Sequence, residues 1–285
     1  MALCFQQQNT IAENFGGGAK FATEENSFKL ADTPDLSGKV AVVTGGSEGI
    51  GYGTVYTFLK HNIKKVYILS VSKEVVQGAQ KAVAEELGQE AADRTQWIFC
   101  DLTDWAAIPA VAKQIADSTD RIDILFNNAG RGIMTYQLTD YGVDRHMALV
   151  GFFSILPKRM KGKEASGANL NVAILQNHMG HVILTSHLLP LLKKTASEGN
   201  TVRIVNQASN AHQGAPKDTK FASLDELNQD LGPNGQYGRS KLANILYAKY
   251  LARHVTSKHP NILANATHPG FVESKMSREG VFYSR

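Results

Sequence analysis

The stretch Thr44-Gly45-Gly46-Ser47-Glu48-Gly49-Ile50-Gly51 decides how the rest of this chain is read. It follows a short β-type run, Lys39 to Thr44, and leads into helical character from about Ile50 to His61. Glycines at such a junction permit a tight turn and close approach of the backbone to a bound group. The first turn of the helix adds unpartnered N–H groups and a partial positive charge. A pyrophosphate suits both properties. A glycine pattern alone is weak evidence; a strand before it and a helix after it give it weight.

The alternation continues outward. Further β-type runs lie at 65–70, 96–100, 122–127, 202–207 and 262–267, with helical stretches at about 73–88, 104–118, 177–194 and 237–257. Strands separated by helices of this length predict βαβ units and a parallel sheet. The near-continuous apolar runs Val40-Ala41-Val42-Val43 and Ile122-Asp123-Ile124-Leu125-Phe126 fit a sheet covered on both faces. The expected fold class is α/β, a Rossmann-like doubly wound parallel sheet in three α/β/α layers. Residues 1–35 have no sustained period and read as a disordered extension; residues 36–285 read as a single domain.

Composition excludes several classes. With 285 residues, 43% of them hydrophobic, the chain is long enough to bury a real core. A formal net charge of +4 is too small to imply a nucleic-acid partner. Two cysteines, Cys4 and Cys100, make no disulfide framework, so a cytoplasmic location is expected. The longest apolar run, Met147 to Pro157, is too short to span a bilayer. The first residues lack a charged start followed by an apolar core, so no secretory leader is expected.

Chemistry-bearing residues fall at the predicted C-terminal ends of strands, where open parallel sheets bind ligands. They are Asp101-Leu102, Asn127-Asn128-Ala129-Gly130, Ser209 and Pro269-Gly270. Tyr237-Gly238-Arg239-Ser240-Lys241 opens a predicted helix and puts Tyr and Lys, at i and i+4, on one face. Asn127 reads as a tie between strands and Cys100 as a buried small hydrophobe. His178 and His181 stand at i and i+3, yet no third ligand and no H-E-x-x-H context accompanies them, so no metal is expected.

With the TGxxxGxG turn, NNAG, a strand-end Ser and YxxxK in this order, the chain resembles the short-chain dehydrogenase/reductase family. The run Asn177-His178-Met179-Gly180-His181 and the residues Tyr237 to Asn244 resemble its retinol-dehydrogenase-like and fungal carbonyl-reductase branch. The resemblance covers about residues 36–275, apart from 150–176. It implies hydride transfer between a nicotinamide dinucleotide and a small carbonyl or alcohol substrate, and it admits a homodimer. Tyr237 would handle the proton, Lys241 would activate it and hold the nicotinamide ribose, Ser209 would hold the carbonyl, and Asn177 would order a relay water. A free Tyr titrates near pH 10, so a neighbouring ammonium and an oxidised nicotinamide are expected to lower it. Gly45, Ser47, Gly49, Ile50 and Gly51 would line the pyrophosphate. Asp101 would meet the adenine edge, Asn128 the cofactor backbone, and Val272 and Ser274 the carboxamide.

The end of the second strand distinguishes the cofactors. An acid there would favour NAD through the ribose 2′-OH. The sequence has Ser70-Val71-Ser72-Lys73, whose hydroxyls and cation suit the 2′-phosphate of NADP. Glu48, where NADP-preferring relatives often carry a base, keeps NAD open.

Two departures from the family pattern stand out. Residues 150–176 interrupt a helix in which Leu149 would otherwise run directly into Asn177. The segment carries Lys158, Arg159, Lys161 and Lys163 against Glu164, and so most of the net charge. Its reading frame is unbroken, its Val150 codon begins GT and its Gln176 can be coded CAG, which are the ends of a retained intron; a surface loop of this lineage is the alternative. The second departure lies after Gly270, where the resemblance implies that a final strand and a substrate-covering lobe are missing. Two rivals follow: an impaired cofactor-binding or regulatory protein of this fold, and an epimerase or dehydratase of the extended family. The three-residue spacing between Gly45 and Gly49 argues against the latter.

Overall fold

Side-chain alternation in the first strand divides the core in two. β1 (Val40–Thr44) turns Val40 and Val42 to one hydrophobic cluster and Ala41 and Val43 to the other, all of them buried. A computed structural model describes residues 29–130, 132, 178–270 and 272. Asn177, Ser274 and the segment 150–176 lie outside the described residues.

The described strands are β1, β2 (Lys65–Ser70), β3 (Thr95–Phe99), β4 (Ile124–Asn127), β5 (Val202–Gln207) and β6 (Ile262–Thr267). They form one sheet in the order β3-β2-β1-β4-β5-β6, every pair parallel. The order reverses between β1 and β4, and such a switch point opens a crevice at the strand C-termini.

Helices cover both faces. On one, α1 (Gly49–Lys60), α2 (Lys73–Leu87) and the short α3 (Gln89–Asp93) bury Val55, Leu59, Val76 and Val83 against Val66 and Ile68. On the other, α4 (Ile108–Ser118), α5 (Met179–Ser197) and α7 (Gly232–Leu251) bury Ile115, Leu184, Leu188 and Leu251 against Val42 and Leu69. The short α6 (Leu224–Leu227) precedes α7. Each fully buried aliphatic side chain contributes about 1.5–3 kcal/mol, so the two clusters dominate stability. Among the described residues no helix is long and apolar enough to cross a membrane.

The six expected strands are all present. Two expected helices begin elsewhere. The helix expected from 104 starts at Ile108, because the Asp104 carboxylate accepts the Ala107 N–H at 3.1 Å and holds a turn there. The helix expected to open at Tyr237 starts at Gly232, with Pro233 in its first turn and the Asp230 side chain accepting the Gly232 N–H at 2.9 Å. Tyr237 therefore occupies the second turn. Within the expected extension, residues 29–35 include a 3-10 turn, Leu30–Asp32, and Asp35 accepts a hydrogen bond from Asn62 at 3.0 Å.

Candidate active site

Thr44, at the end of β1, organises the crevice. Its hydroxyl accepts the backbone N–H groups of Asn128 and Ala129 at 2.9 Å each, pulling the Asn127-Asn128-Ala129-Gly130 loop against the glycine turn. The Asn128 amide donates in return to the carbonyls of Thr44 and Gly45, at 3.0 and 3.3 Å. Asn127 behaves as the tie expected of it, donating to Thr185 on α5 and Asn206 on β5 at 3.1 and 3.0 Å.

Gly45, Ser47, Gly49, Ile50 and Gly51 form the turn and the start of α1. A Cβ on Gly51 would stand 2.0 Å from the Gly45 carbonyl oxygen, so only glycine lets the helix come this close to the turn. No side chain caps α1, which leaves its first amides for a ligand. Ser47 Oγ lies 3.4 Å from Ser70 Oγ. Ser72 caps α2, and the Lys73 ammonium stands over the Trp97 ring, 5.9 Å from its centroid. Close-approach glycine, uncapped amides, hydroxyls and a cation are a donor set that fits a phosphorylated dinucleotide. Asp101 is half-exposed and accepts both the N–H and the hydroxyl of Thr103, at 2.8 and 2.7 Å. Val272 is half-buried.

Just past the end of β5, Ser209 starts a 3-10 turn, Asn210–Gly214; its hydroxyl accepts the Ala211 N–H at 3.1 Å and stands near the Tyr237 phenol. Lys241 is 5% exposed and its ammonium lies 5.3 Å from the Tyr237 ring centroid. Gly238 lets α7 reach the Ser209 turn: a Cβ there would meet the Ala211 carbonyl oxygen at 2.6 Å. The structure thus brings Ser209, Tyr237 and Lys241 together, at the strand ends that also carry the glycine turn.

Electrostatics differ from expectation in one respect. Burial raises Tyr237 above its ordinary pKa, and the neighbouring Ser209 hydroxyl only partly offsets it. Burial also pushes Lys241 down to about 8. A buried ammonium stands to lose most from desolvation, so the lysine, rather than the tyrosine, is the group whose pKa falls in the protein alone.

Sequence reasoning missed three partners. The Lys241 ammonium donates to the Gln207 carbonyl at 3.0 Å, Asn244 donates to the same carbonyl at 2.9 Å, and Asn244 Oδ1 meets His178 Nδ1 at 2.7 Å. His178 and His181 are part of this framework, His181 through Thr44 at 2.8 Å. Asn244 lies seven residues after Tyr237, and that helical spacing was the available signal.

A family model described as short chain dehydrogenase matches residues 39–223. The chain belongs to that family. A Neurospora crassa protein named as a mitochondrial oxidoreductase, bli-4, is 57% identical over 275 residues, covering 95% of this chain and 60% of its own length. A short-chain dehydrogenase/reductase of Armillaria gallica is 31% identical over 267 residues, covering 91% of this chain and 72% of its own. The solved structure of Pseudomonas aeruginosa RhlG, an NADP active-site complex, superposes with a TM-score of 0.57 at 25% identity, covering 86% of this chain and 78% of that one. An uncharacterised protein from Mycobacterium paratuberculosis gives a TM-score of 0.61 at 26% identity, covering 86% and 72%. The chain spans about three-fifths of the length of bli-4.

Proposed function

We propose that this chain is an NADP-dependent oxidoreductase that interconverts a small carbonyl compound and its alcohol. The observation that carries the reading is the convergence of Ser209, Tyr237 and the buried Lys241, whose ammonium stands beside the tyrosine ring. A nicotinamide, when bound, supplies or takes the hydride. Ser209 holds the substrate oxygen, and Tyr237 gives that oxygen a proton as the carbonyl is reduced, or takes it back as the alcohol is oxidised. Lys241 favours the tyrosinate by its charge. Asn177 is assigned the relay water, and Val272 and Ser274 the carboxamide, on the family pattern alone.

Ser47, Ser70, Ser72 and Lys73 support NADP, as does the NADP bound to the RhlG relative. Oxidation of NADPH and NADH over a panel of ketones, aldehydes and retinoids tests the reading. Turnover with NADPH, abolished in Tyr237→Phe while fluorescence still reports cofactor binding, is the expected result. Substantial activity in Tyr237→Phe overturns it. Lys73→Glu is expected to lower the NADPH-over-NADH preference about tenfold, the effect of one charge on a phosphate contact.

The cytoplasm remains our proposed location. The mitochondrial label on bli-4 makes the mitochondrion the second arm of a fractionation test. Light scattering tests the proposed homodimer. No observation favours the impaired-protein reading.

A further inference from the structure

Tyr237, Lys241 and Asn244 stand at i, i+4 and i+7 on α7, one stripe along the helix. Two of the three converge on a single atom. The Gln207 carbonyl oxygen accepts the Lys241 ammonium at 3.0 Å and the Asn244 amide at 2.9 Å. A carbonyl oxygen has two lone pairs, and here both are taken.

The rest of the chain of bonds follows by elimination. Because Nδ2 of Asn244 donates to Gln207, its Oδ1 must accept, since a flipped amide would set two oxygens face to face. His178 Nδ1, 2.7 Å away, therefore carries a proton. Burial pushes the His178 pKa down to about 4, so the ring is neutral with its proton on Nδ1. Tyr247 packs edge-on to that ring, 5.6 Å between centroids, and fixes its plane. Four groups in a row thus have one possible polarity: His178 donates to Asn244, and Asn244 donates to the carbonyl that also receives Lys241. Among the described residues no salt bridge reaches Lys241. Ser209 follows two residues after that carbonyl, so one short piece of backbone carries both the lysine's acceptor and the hydroxyl near Tyr237.

We propose that His178 and Asn244 are positioning residues that clamp the Gln207 carbonyl, and through it fix where the Lys241 ammonium stands relative to Tyr237 and Ser209. The proposal rests on the reading of Tyr237 and Lys241 as the proton-transfer pair. A buried His–Asn couple is costlier to build than apolar packing, and its one evident product is the fixed acceptor at its end.

Nuclear magnetic resonance of the protein without cofactor tests the clamp directly. The His178 ring nitrogens, assigned by their loss in His178→Gln, are expected to show a neutral ring protonated on Nδ1 from about pH 6 to pH 8. The Lys241 ε-carbon, assigned by its loss in Lys241→Arg, is expected to titrate higher by about one pH unit in Asn244→Asp, where a carboxylate replaces the amide. A proton on Nε2, or a Lys241 midpoint that does not move, overturns the proposal. Kinetics give the second readout. His178→Leu and Asn244→Leu are expected to lower kcat at least about tenfold with KM within about threefold, whereas His178→Gln, which can still donate to Asn244, stays within about threefold of the parent kcat. Equal losses in His178→Leu and His178→Gln overturn the proposal. If the Leu variants fail to fold, the resonances and His178→Gln still decide. The resonances need neither cofactor nor turnover, so a parent protein inactive on every carbonyl refutes the oxidoreductase reading while the clamp is judged separately.

Discussion

The Thr44 hydroxyl lies 2.8 Å from Nε2 of His181 while it accepts the N–H groups of Asn128 and Ala129. A hydroxyl has one proton and two acceptor sites. The two amides fill the acceptor sites, and the Phe126 carbonyl is 3.4 Å away, so the proton goes to His181. One small side chain joins the ends of β1 and β4 to α5. Thr44→Val keeps the volume and strands these partners, at an expected cost of about 1–3 kcal/mol. A lower melting temperature and weaker NADPH binding by fluorescence titration are expected; a variant indistinguishable in both contradicts the role.

Gly51→Ala should be damaging where Gly53→Ala is not. The Gly51 methyl would press into the Gly45 carbonyl oxygen, while a methyl on Gly53 meets nothing within 4 Å. Both glycines lie in α1, so helix propensity favours alanine at either by about 0.5–1 kcal/mol. Thermal melting and cofactor titration are expected to show loss in the first variant and a neutral or raised melting temperature in the second.

Glu226 fastens the segment before α7. Burial works to raise its pKa, but the N–H groups of Ala222, Lys220 and Phe221, together with Arg239, outweigh it and hold the carboxyl below its ordinary value. A depressed folded pKa means that this stabilisation is present above the ordinary carboxylate range and is lost as pH falls through the folded value. In Glu226→Gln, melting temperatures near neutrality should be lower than the parent's and the difference should shrink at acid pH. A constant gap at every pH argues against the carboxylate's role.

His178 gives a second acid limb. Burial lowers it from 6.5 to about 4, so the unfolded chain takes up a proton first as pH falls. Stability is therefore expected to decline between those two values, by at most about 1.4 kcal/mol per pH unit. His178→Gln has nothing to titrate and should flatten that part of the profile in chemical denaturation. An equally steep decline would mean that other groups carry it.

Removing residues 150–176 should join Leu149 to Asn177 and lengthen the helix that begins α5. A higher melting temperature and greater turnover are expected in that deletion, and transcript sequencing should find messages without the segment. Uniform presence of the segment in messenger RNA, with no gain in the deletion variant, favours the surface loop.

Much of this is legible in the sequence. The strands announced themselves because a two-faced parallel sheet needs unbroken apolar runs such as Val40 to Val43. The site triad was legible because Tyr237 and Lys241 are four residues apart on one helix and Ser209 follows a strand, in the order of the family motifs. The starts of α4 and α7 were not, since Asp104 and Asp230 set them through side-chain bonds to one amide each. Nor was the framework behind the triad. Thr44 and His181 are 137 residues apart and His178 and Asn244 are 66 apart, so only the fold introduces them. Periodicity reports which face of an element is buried, and it carries no information about which buried polar atom meets which.

The atom that receives Lys241 belongs to the main chain. Replacing Gln207 would cut its side-chain ties to Thr267 and Ala208 yet leave that oxygen in place. A mutational scan would score position 207 as a fastening between β5 and β6, and a survey of which amino acids occur there would do the same. The lysine's seat is thus encoded at other positions, in the residues that aim a peptide group whose own identity cannot vary.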